Sequence, residues 1–365
     1  MRFLFFFVHP SKFHVFRITI NELKRRGHHV EVLITSKDVL EDLVKSEGWD
    51  YSNIFPEGRK IDGLPPYISS GINTFRTVHR LYKYTKKRKF DLFITDDLLV
   101  YLGWLFGIPT IVFTDDDLSI TKQFALILSP ATNILAPDIT DLQKYNSKKI
   151  EFPGYKELAY LHPNVFHPDR KHLTFLDSPD KKFFIIRLVS LRSYHDVGKK
   201  GISDVQVSGL ISILKPKGKV FISTERPLPK NLEKYRIKID PKHILHALAF
   251  AEIFIGDSQT MTSEAAVLGT PTIRCNDFVG KINVMEEKEV KYGLSFNFLP
   301  SDYEKLIEKV KEILEDETYK VKFQKRRDAM LKDKIDLSAF MIWLFENYPE
   351  LDFNSPFDFE RFKIT

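Results

Sequence analysis

The chain has one cysteine, Cys275, in 365 residues. That excludes an internal disulfide framework and any cysteine-rich metal site, and it fits a reducing, cytoplasmic setting. Long apolar runs are missing too. The opening MRFLFFFVHP has only Phe3 to Val8 as an unbroken apolar stretch, too brief for the apolar region of a signal peptide or for a membrane span, so it reads as a buried first strand. Neither an internal repeat nor a low-complexity segment is present. The excess of one charge sign is small. Lys and Arg total 55 against 49 Asp and Glu, a net +6, which gives no ground for a nucleic-acid partner and directs attention to local basic patches. At 43% hydrophobic and 28% charged, the chain lacks a disordered signature and is long enough for two domains with separate cores.

What is present is a strand, a turn and a helix between Ala251 and Arg274, AEIFIGDSQTMTSEAAVLGTPTIR. Ile253 to Ile255 predicts a short strand, Gly256-Asp257-Ser258 a polar turn, and Thr260 to Glu264 the start of a helix, with another strand after Gly269-Thr270-Pro271. A helix that opens directly from a strand presents unpaired N–H groups and a partial positive charge. Ser258, Thr260 and Thr262 there make a seat for an anionic group. Glu264 lies further into the helix, where a carboxylate can accept two hydrogen bonds from a vicinal diol such as a ribose. The same residues also suit an ordinary helix start, with Asp257 or Ser258 as the cap and Glu264 as a solvated charge. The stretch resembles the nucleotide-binding segment of UDP-N-acetylglucosamine 2-epimerases and related GT-B glycosyltransferases, where D-S-G-G-x-x-E-E holds the diphosphate and ribose. Asp257, Ser258 and Glu264 match that pattern; Gln259 and Thr260 replace its two glycines, so the backbone approaches a pyrophosphate less closely.

The N-terminal half begins with a β-α-β pattern. A first strand ends at His9-Pro10, a helix with Val15, Ile18 and Leu23 on its apolar face stops at Gly27, and Val30 to Ile34 forms the second strand. Such units build a parallel sheet, which binds ligands at the carboxyl ends of its strands. His14 falls near the start of the first helix, with His9 as a rival. His14-Val15-Phe16 resembles the placement of the general base in inverting GT-B glycosyltransferases, although a partly buried, backbone-bonded ring is the commoner fate of a lone histidine. Two further strands, Asp91 to Thr95 and Thr110 to Phe113, run into Asp96-Asp97 and Asp115-Asp116-Asp117. Asp96 and Asp115 are therefore candidate catalytic carboxylates at the expected cleft. Helix starts also favour Asp, and no metal is expected there. Asp62 to Gly71 is rich in turn formers and reads as a loop over the cleft. Residues 74–89 form an amphipathic helix, with Phe75, Val78, Leu81 and Tyr82 against a largely basic remainder. It offers a face for peripheral contact with the inner membrane surface, while a solvated charged face is the commoner outcome.

Glu151 to Pro163 (EFPGYKELAYLHP) has turn residues at both ends and reads as the interdomain linker. The expected division is 1–155, 156–336, and a 337–365 helix and tail returning to the first domain. The second half restarts with the strand Phe183 to Leu188, whose exit concentrates Arg187, Arg192, His195, Lys199 and Lys200 near Gly198 and Gly201. Such a loop partners phosphate, and His195 beside Asp196 suits acid–base work or phosphate donation. Through His195 it resembles the H-R-x-E-N loop of the 2-epimerases. His243 and His246 share a helix face but lack an identifiable third metal ligand.

Three blocks, GYKELAYL, HDVGKKGIS and GDSQTMTSEAAVLGTP, resemble an uncharacterised archaeal and bacterial family, domain of unknown function 354, placed with GT-B proteins. The resemblance covers nearly the whole chain. It implies an α/β, GT-B-like architecture of two doubly wound Rossmann-like domains facing a cleft. It further implies a nucleotide-sugar-dependent glycosyltransferase of surface polysaccharide or glycoconjugate synthesis, with no bound cofactor or metal. A nucleoside diphosphate sugar, with a UDP-sugar foremost, would be held by Arg187, Arg192, His195, Gly256, Asp257, Ser258, Thr260, Thr262 and Glu264. A sugar or lipid-linked acceptor would meet the first domain, with His14, Asp96 or Asp115 as base. The alternatives are a UDP-sugar 2-epimerase that draws its acids and bases from Asp96, Asp115, Glu225 and His195, and a non-catalytic nucleotide-sugar-binding protein.

Overall fold

Short apolar runs alternating with amphipathic helices can bury both faces only as a parallel sheet between helical layers. A computed structural model describes residues 1–37, 39–59, 66–178, 180–190, 201–353 and 355–364. The chain divides into two units, Met1–Tyr160 with Ile335–Lys363, and Leu161–Lys334.

The first unit holds β1 (Arg2–Phe7), β2 (His29–Ile34), β3 (Ser52–Asn53), β4 (Leu92–Thr95), β5 (Thr110–Phe113), β6 (Asn133–Pro137) and β7 (Lys149–Phe152), in the order β3-β2-β1-β4-β5-β6-β7. Every pairing is parallel. Phe3 to Phe7 of β1 and Leu92 to Ile94 of β4 are fully buried, each side chain contributing roughly 2 kcal/mol by leaving water. The strand order reverses between β1 and β4, which creates a crevice at their carboxyl ends. The Pro10–Arg25 helix starts there with His9 as its cap, the His9 Nδ1 accepting the Ser11 N–H at 3.2 Å. The Leu337–Asn347 helix packs on the Pro10–Arg25 helix. Its Phe340 meets Phe357, Phe359 and Phe362 edge-on at 5.3–5.8 Å, so the aromatic tail is core material of this unit.

Two expectations change here. The expected linker, 151–163, contains the division between the units, at Tyr160 and Leu161. It is packed rather than plain: Phe152, Tyr155 and Leu158 are buried, and it runs from an edge strand into a helical turn, Leu158–Leu161. Residues 66–71 do not form a loop: the helix runs Pro66–Thr85. Proline is tolerated in a first helical turn, so the turn-forming composition did not prevent it. The remaining part of that expected loop, 62–65, lies outside the described residues.

The second unit holds β8 (Phe183–Leu188), β9 (Lys219–Thr224), β10 (Phe254–Gly256), β11 (Thr272–Cys275) and β12 (Ser295–Phe298), ordered β12-β11-β10-β8-β9 and all parallel. Ile186, Ile222, Ile255 and Ile273 form part of its core. The order reverses between β8 and β10, so this unit too has a crevice at its strand ends. A Cβ on Gly256 would come within 2.9 Å of the Arg187 Cβ and 3.0 Å of its carbonyl oxygen, so close approach of β10 to β8 requires glycine there. Among the described residues no helix is long and apolar enough to cross a membrane.

Candidate functional site

At the second unit's crevice, β10 ends in Gly256 and the Gln259–Val267 helix begins three residues later. Ser258 caps that helix, its Oγ accepting the Met261 N–H at 3.3 Å. The capping role expected for Ser258 or Asp257 thus falls to Ser258. Thr262, expected in the seat, is fully buried and donates its hydroxyl to the Ser258 carbonyl at 2.6 Å, so it secures the cap from within. Thr260 is half-buried, and the Gln259 and Thr260 amides belong to the first turn, where no intrahelical acceptor exists. Glu264 lies further along the helix and is buried.

Asp257 has a different place from the one the sequence suggests. Only 2% exposed, it accepts the Val189 N–H at 2.7 Å through Oδ1, while Asn276 donates to its carbonyl oxygen at 2.9 Å. A Cβ on Gly201 would fall 2.4 Å from Asp257 Oδ2. The carboxylate therefore touches residues on both sides of segment 191–200. Burial pushes Asp257 up to about 6, against the Val189 amide and the Arg226 charge. Arg187, expected to hold phosphate, donates instead to Ser223 Oγ at 2.8 Å and pairs with Glu225, whose other oxygen accepts the Ser190 N–H at 3.3 Å. Arg192 and His195, with Lys199 and Lys200, lie outside the described residues.

At the first unit's crevice the strand ends of β1, β4 and β5 bring carboxylates and cations together. Lys12, in the first turn of the Pro10–Arg25 helix, lies 3.9 Å from Asp115 and 4.7 Å from the Phe113 ring centroid. Lys156 pairs with the same carboxylate at 2.7 Å. Burial alone would lower the Lys156 ammonium, but Asp115, with Glu157 and Asp116, drives it the other way and raises it. Arg59 binds Asp97 at 2.8 Å. Asp96 differs from its neighbours: its Oδ1 is shut off from solvent and has no hydrogen-bond partner among the described residues. Burial pushes Asp96 up to about 6, with Lys12 opposing and Asp97 adding to the rise.

His14 sits in the second turn of its helix, against Phe13 and Tyr160 at centroid distances of 5.4 and 5.5 Å. Burial, and then the Arg17 charge, lower it to about 4. It is neutral at pH 7 but a weak proton acceptor, whereas Asp96 lies closer to the range that suits a general base. His9 is occupied as the helix cap.

A family model described as "Protein of unknown function (DUF354)" matches residues 9–339. The chain belongs to the DUF354 family. No curated protein sequence matches this DUF354 chain. Solved structures do. UDP-GlcNAc 2-epimerase from Neisseria meningitidis, bound to UDP-GlcNAc, superposes with a TM-score of 0.66 at 15% identity, covering 95% of this chain and 100% of its own. UDP-GlcNAc 2-epimerase from Methanocaldococcus jannaschii gives 0.66 at 13% identity, with 95% and 100% covered. The glycotransferase of kitacinnamycin gives 0.62 at 13% identity, with 94% and 98% covered. The DUF354 chain therefore has the GT-B-like fold of these proteins, two doubly wound parallel α/β units.

Three further charged residues of the DUF354 chain belong to no site motif that the sequence reveals. Lys12 stands in a first helical turn, where cations are disfavoured, and that mismatch was its signal. Lys156 is a charge between the aromatic residues of GYKELAYL. Arg274 interrupts the otherwise apolar β11 and is fully buried. It donates to Asn297 at 3.1 Å and to Glu286 at 3.4 Å, and its Nη1 has no partner among the described residues. Burial lowers Arg274 to about 10, opposed by Glu286 and Glu289.

Proposed function

We propose that this DUF354 protein is a glycosyltransferase that takes a nucleoside diphosphate sugar at the start of the Gln259–Val267 helix. The observation that supports this most is the second unit's crevice, where the ends of β8 and β10 meet first-turn amides and the Thr260 hydroxyl at a helix N-terminus. Those groups stabilise the charge that develops on a departing diphosphate. Glu264 accepts the ribose hydroxyls. Asp96 of the first unit takes the proton from the acceptor hydroxyl as that oxygen bonds to the sugar C1 and the C1–O bond to the phosphate breaks.

The test is release of nucleoside diphosphate from UDP-, GDP- and dTDP-sugars with an acceptor mixture. Asp96→Asn is expected to lower kcat by about 10²–10⁴-fold, the usual worth of a general base, with the donor KM unchanged. In the wild type kcat should rise as pH passes about 6, where Asp96 ionises. Full activity in Asp96→Asn would remove Asp96 from the mechanism.

A second reading, a UDP-sugar 2-epimerase, draws on Lys12, whose charge opposes the rise of Asp96, so that a proton-donating ammonium acts on a proton-accepting carboxylate. Inversion at C2 without any acceptor would select it.

We infer further that the exposed side of the Pro66–Thr85 helix rests on an anionic membrane. Phe75 is 73% exposed and Trp104, on the neighbouring Leu99–Phe106 helix, also 73%, while Lys83, Lys86, Lys87 and Lys89 are exposed nearby in the chain. Arg76 and Arg80 are spent on Glu57 at 2.8 and 2.6 Å, so the lysines carry the attraction. Each contributes about 1 kcal/mol near an anionic surface. The Lys86→Gln/Lys87→Gln double variant is then expected to bind phosphatidylserine vesicles about 30-fold more weakly. Equal binding of wild type to neutral and anionic vesicles would contradict the reading.

A further inference from the structure

His243 and His246 share one helical segment, and the fold brings His172 from a distant part of the second unit onto them. The His172 ring lies 4.1 Å from that of His243 and 4.3 Å from that of His246. One nitrogen from each ring can be chosen so that all three lie within 4.8 Å of one another, the one such group of potential metal-ligating side chains among the described residues. His172 ends the 3-10 turn Arg170–His172, which Asp169 caps by accepting the Lys171 N–H at 2.9 Å. His243 ends the turn Pro241–His243, capped by Asp240, and His246 follows in the Ile244–Phe250 helix. Each backbone is thus fixed locally while each ring is half-buried.

We propose that His172, His243 and His246 form a binding site for a divalent late transition ion of the Zn2+ class. Three imidazoles and no carboxylate bridging them make a borderline donor set, which selects Zn2+, Cu2+ or Ni2+ over Mg2+ or Ca2+. Three protein nitrogens leave a fourth tetrahedral position to water. Zn–N bonds of about 2.0–2.1 Å in a tetrahedron bring the nitrogens to roughly 3.3 Å apart, inside the 4.8 Å that bounds them here, so the widest pair closes by at most about 1.5 Å. The rings must also turn. His172 and His243 are stacked with only 18° between their planes, whereas an ion must lie in the plane of every ring that binds it, so capture unstacks this pair by rotation about Cβ–Cγ. The His246 Nδ1 accepts the Asp169 N–H at 3.0 Å. That nitrogen is therefore the unprotonated one in the free ring, and binding exchanges this hydrogen bond for the metal bond.

The ion would tie the segment at the start of the second unit to the helix that leads into β10. Metal capture would therefore stabilise this unit.

The full chain, carrying no histidine tag and stripped by chelator, is titrated with Zn2+ against a chromophoric chelator and separately with Co2+, whose visible spectrum reports its geometry. One Zn2+ per chain is expected, with a Co2+ spectrum of low coordination number, a rise in melting temperature with Zn2+ and no response to Mg2+. His243→Ala should bind Zn2+ at least about 100-fold more weakly, the upper end of what losing an outer-layer partner costs. His172→Asn keeps the local shape and should do the same, while His79→Ala in the first unit should bind as the wild type does. Circular dichroism of the metal-free variants establishes that each is folded. Absence of stoichiometric Zn2+ in the wild type, or unchanged affinity in folded His172→Asn, overturns the proposal.

Discussion

Lys156→Ala should destabilise the first unit by about 3–5 kcal/mol, the cost of stripping one partner from a buried ion pair. Lys156 lies 2.7 Å from Asp115, and Asp115 is 7% exposed. Without the ammonium, Lys12 remains at 3.9 Å, further off than the lysine that was removed. Most of the loss comes from weaker compensation of a buried charge rather than from the contact itself. Asp115→Asn in the same chain should therefore recover a substantial part of it, a coupling that a double-mutant cycle reads directly. Chemical denaturation followed at pH 7 is the measurement. A Lys156→Ala chain as stable as wild type would mean that Lys156 is dispensable for holding the strand ends of β1, β4 and β5 together.

Asp257→Asn acts in the opposite direction. Burial holds the Asp257 carboxyl at about 6 against an ordinary 3.8, so the folded state prefers it protonated. Below pH 3.8 both states are protonated and no penalty is present. Stability is then lost as pH rises through about 6, because the folded state must ionise a buried group that the unfolded chain ionises freely. A tenfold difference in proton affinity between the two states is worth about 1.4 kcal/mol, so the penalty at pH 7.5 is roughly 2–3 kcal/mol. Asn keeps the oxygen that accepts the Val189 N–H and removes the charge. The variant should therefore be more stable than wild type by about 2 kcal/mol at pH 7.5 and within about 0.5 kcal/mol of it at pH 4. Equal stability at both values would show that Asp257 is not held under strain. Asp257 and Asp96, both raised to about 6, stand at the strand ends of the two sheets, and a retained penalty of this kind marks them as candidate functional positions.

The fold was legible because its signal is regional. Runs such as Phe3 to Val8 and Ile253 to Ile255 are too short for helices and too apolar for loops, and their alternation with amphipathic segments leaves a parallel sheet as the outcome. The Gly256–Ser258 turn was legible from its polar, turn-forming residues directly after an apolar strand; that Gly256 also lets β10 approach Arg187 is visible only in the fold.

Side-chain direction was not legible. Thr262 and Asp257 have the chemistry of ligands, yet Thr262 faces the cap carbonyl and Asp257 faces the end of β8, choices set by helical phase and strand register rather than by residue type. Arg187 was read as a phosphate donor, but Ser223 and Glu225 reach it across β9, a pairing between residues 36 and 38 positions away. His172 escaped notice similarly, being far in sequence from the two histidines it stacks upon.

The most direct test of the central claim is calorimetric titration of the purified chain with UDP, GDP, dTDP and CMP, repeated on Glu264→Gln. Gln fills the same volume but cannot offer two charged acceptors to a ribose, and losing hydrogen bonds to a charged group costs about 1.5–3 kcal/mol. Binding of one nucleoside diphosphate by the wild type, weakened by roughly 10- to 150-fold in a Glu264→Gln chain with wild-type thermal stability, is the predicted result. A folded wild-type chain that binds none of these nucleotides would contradict the account.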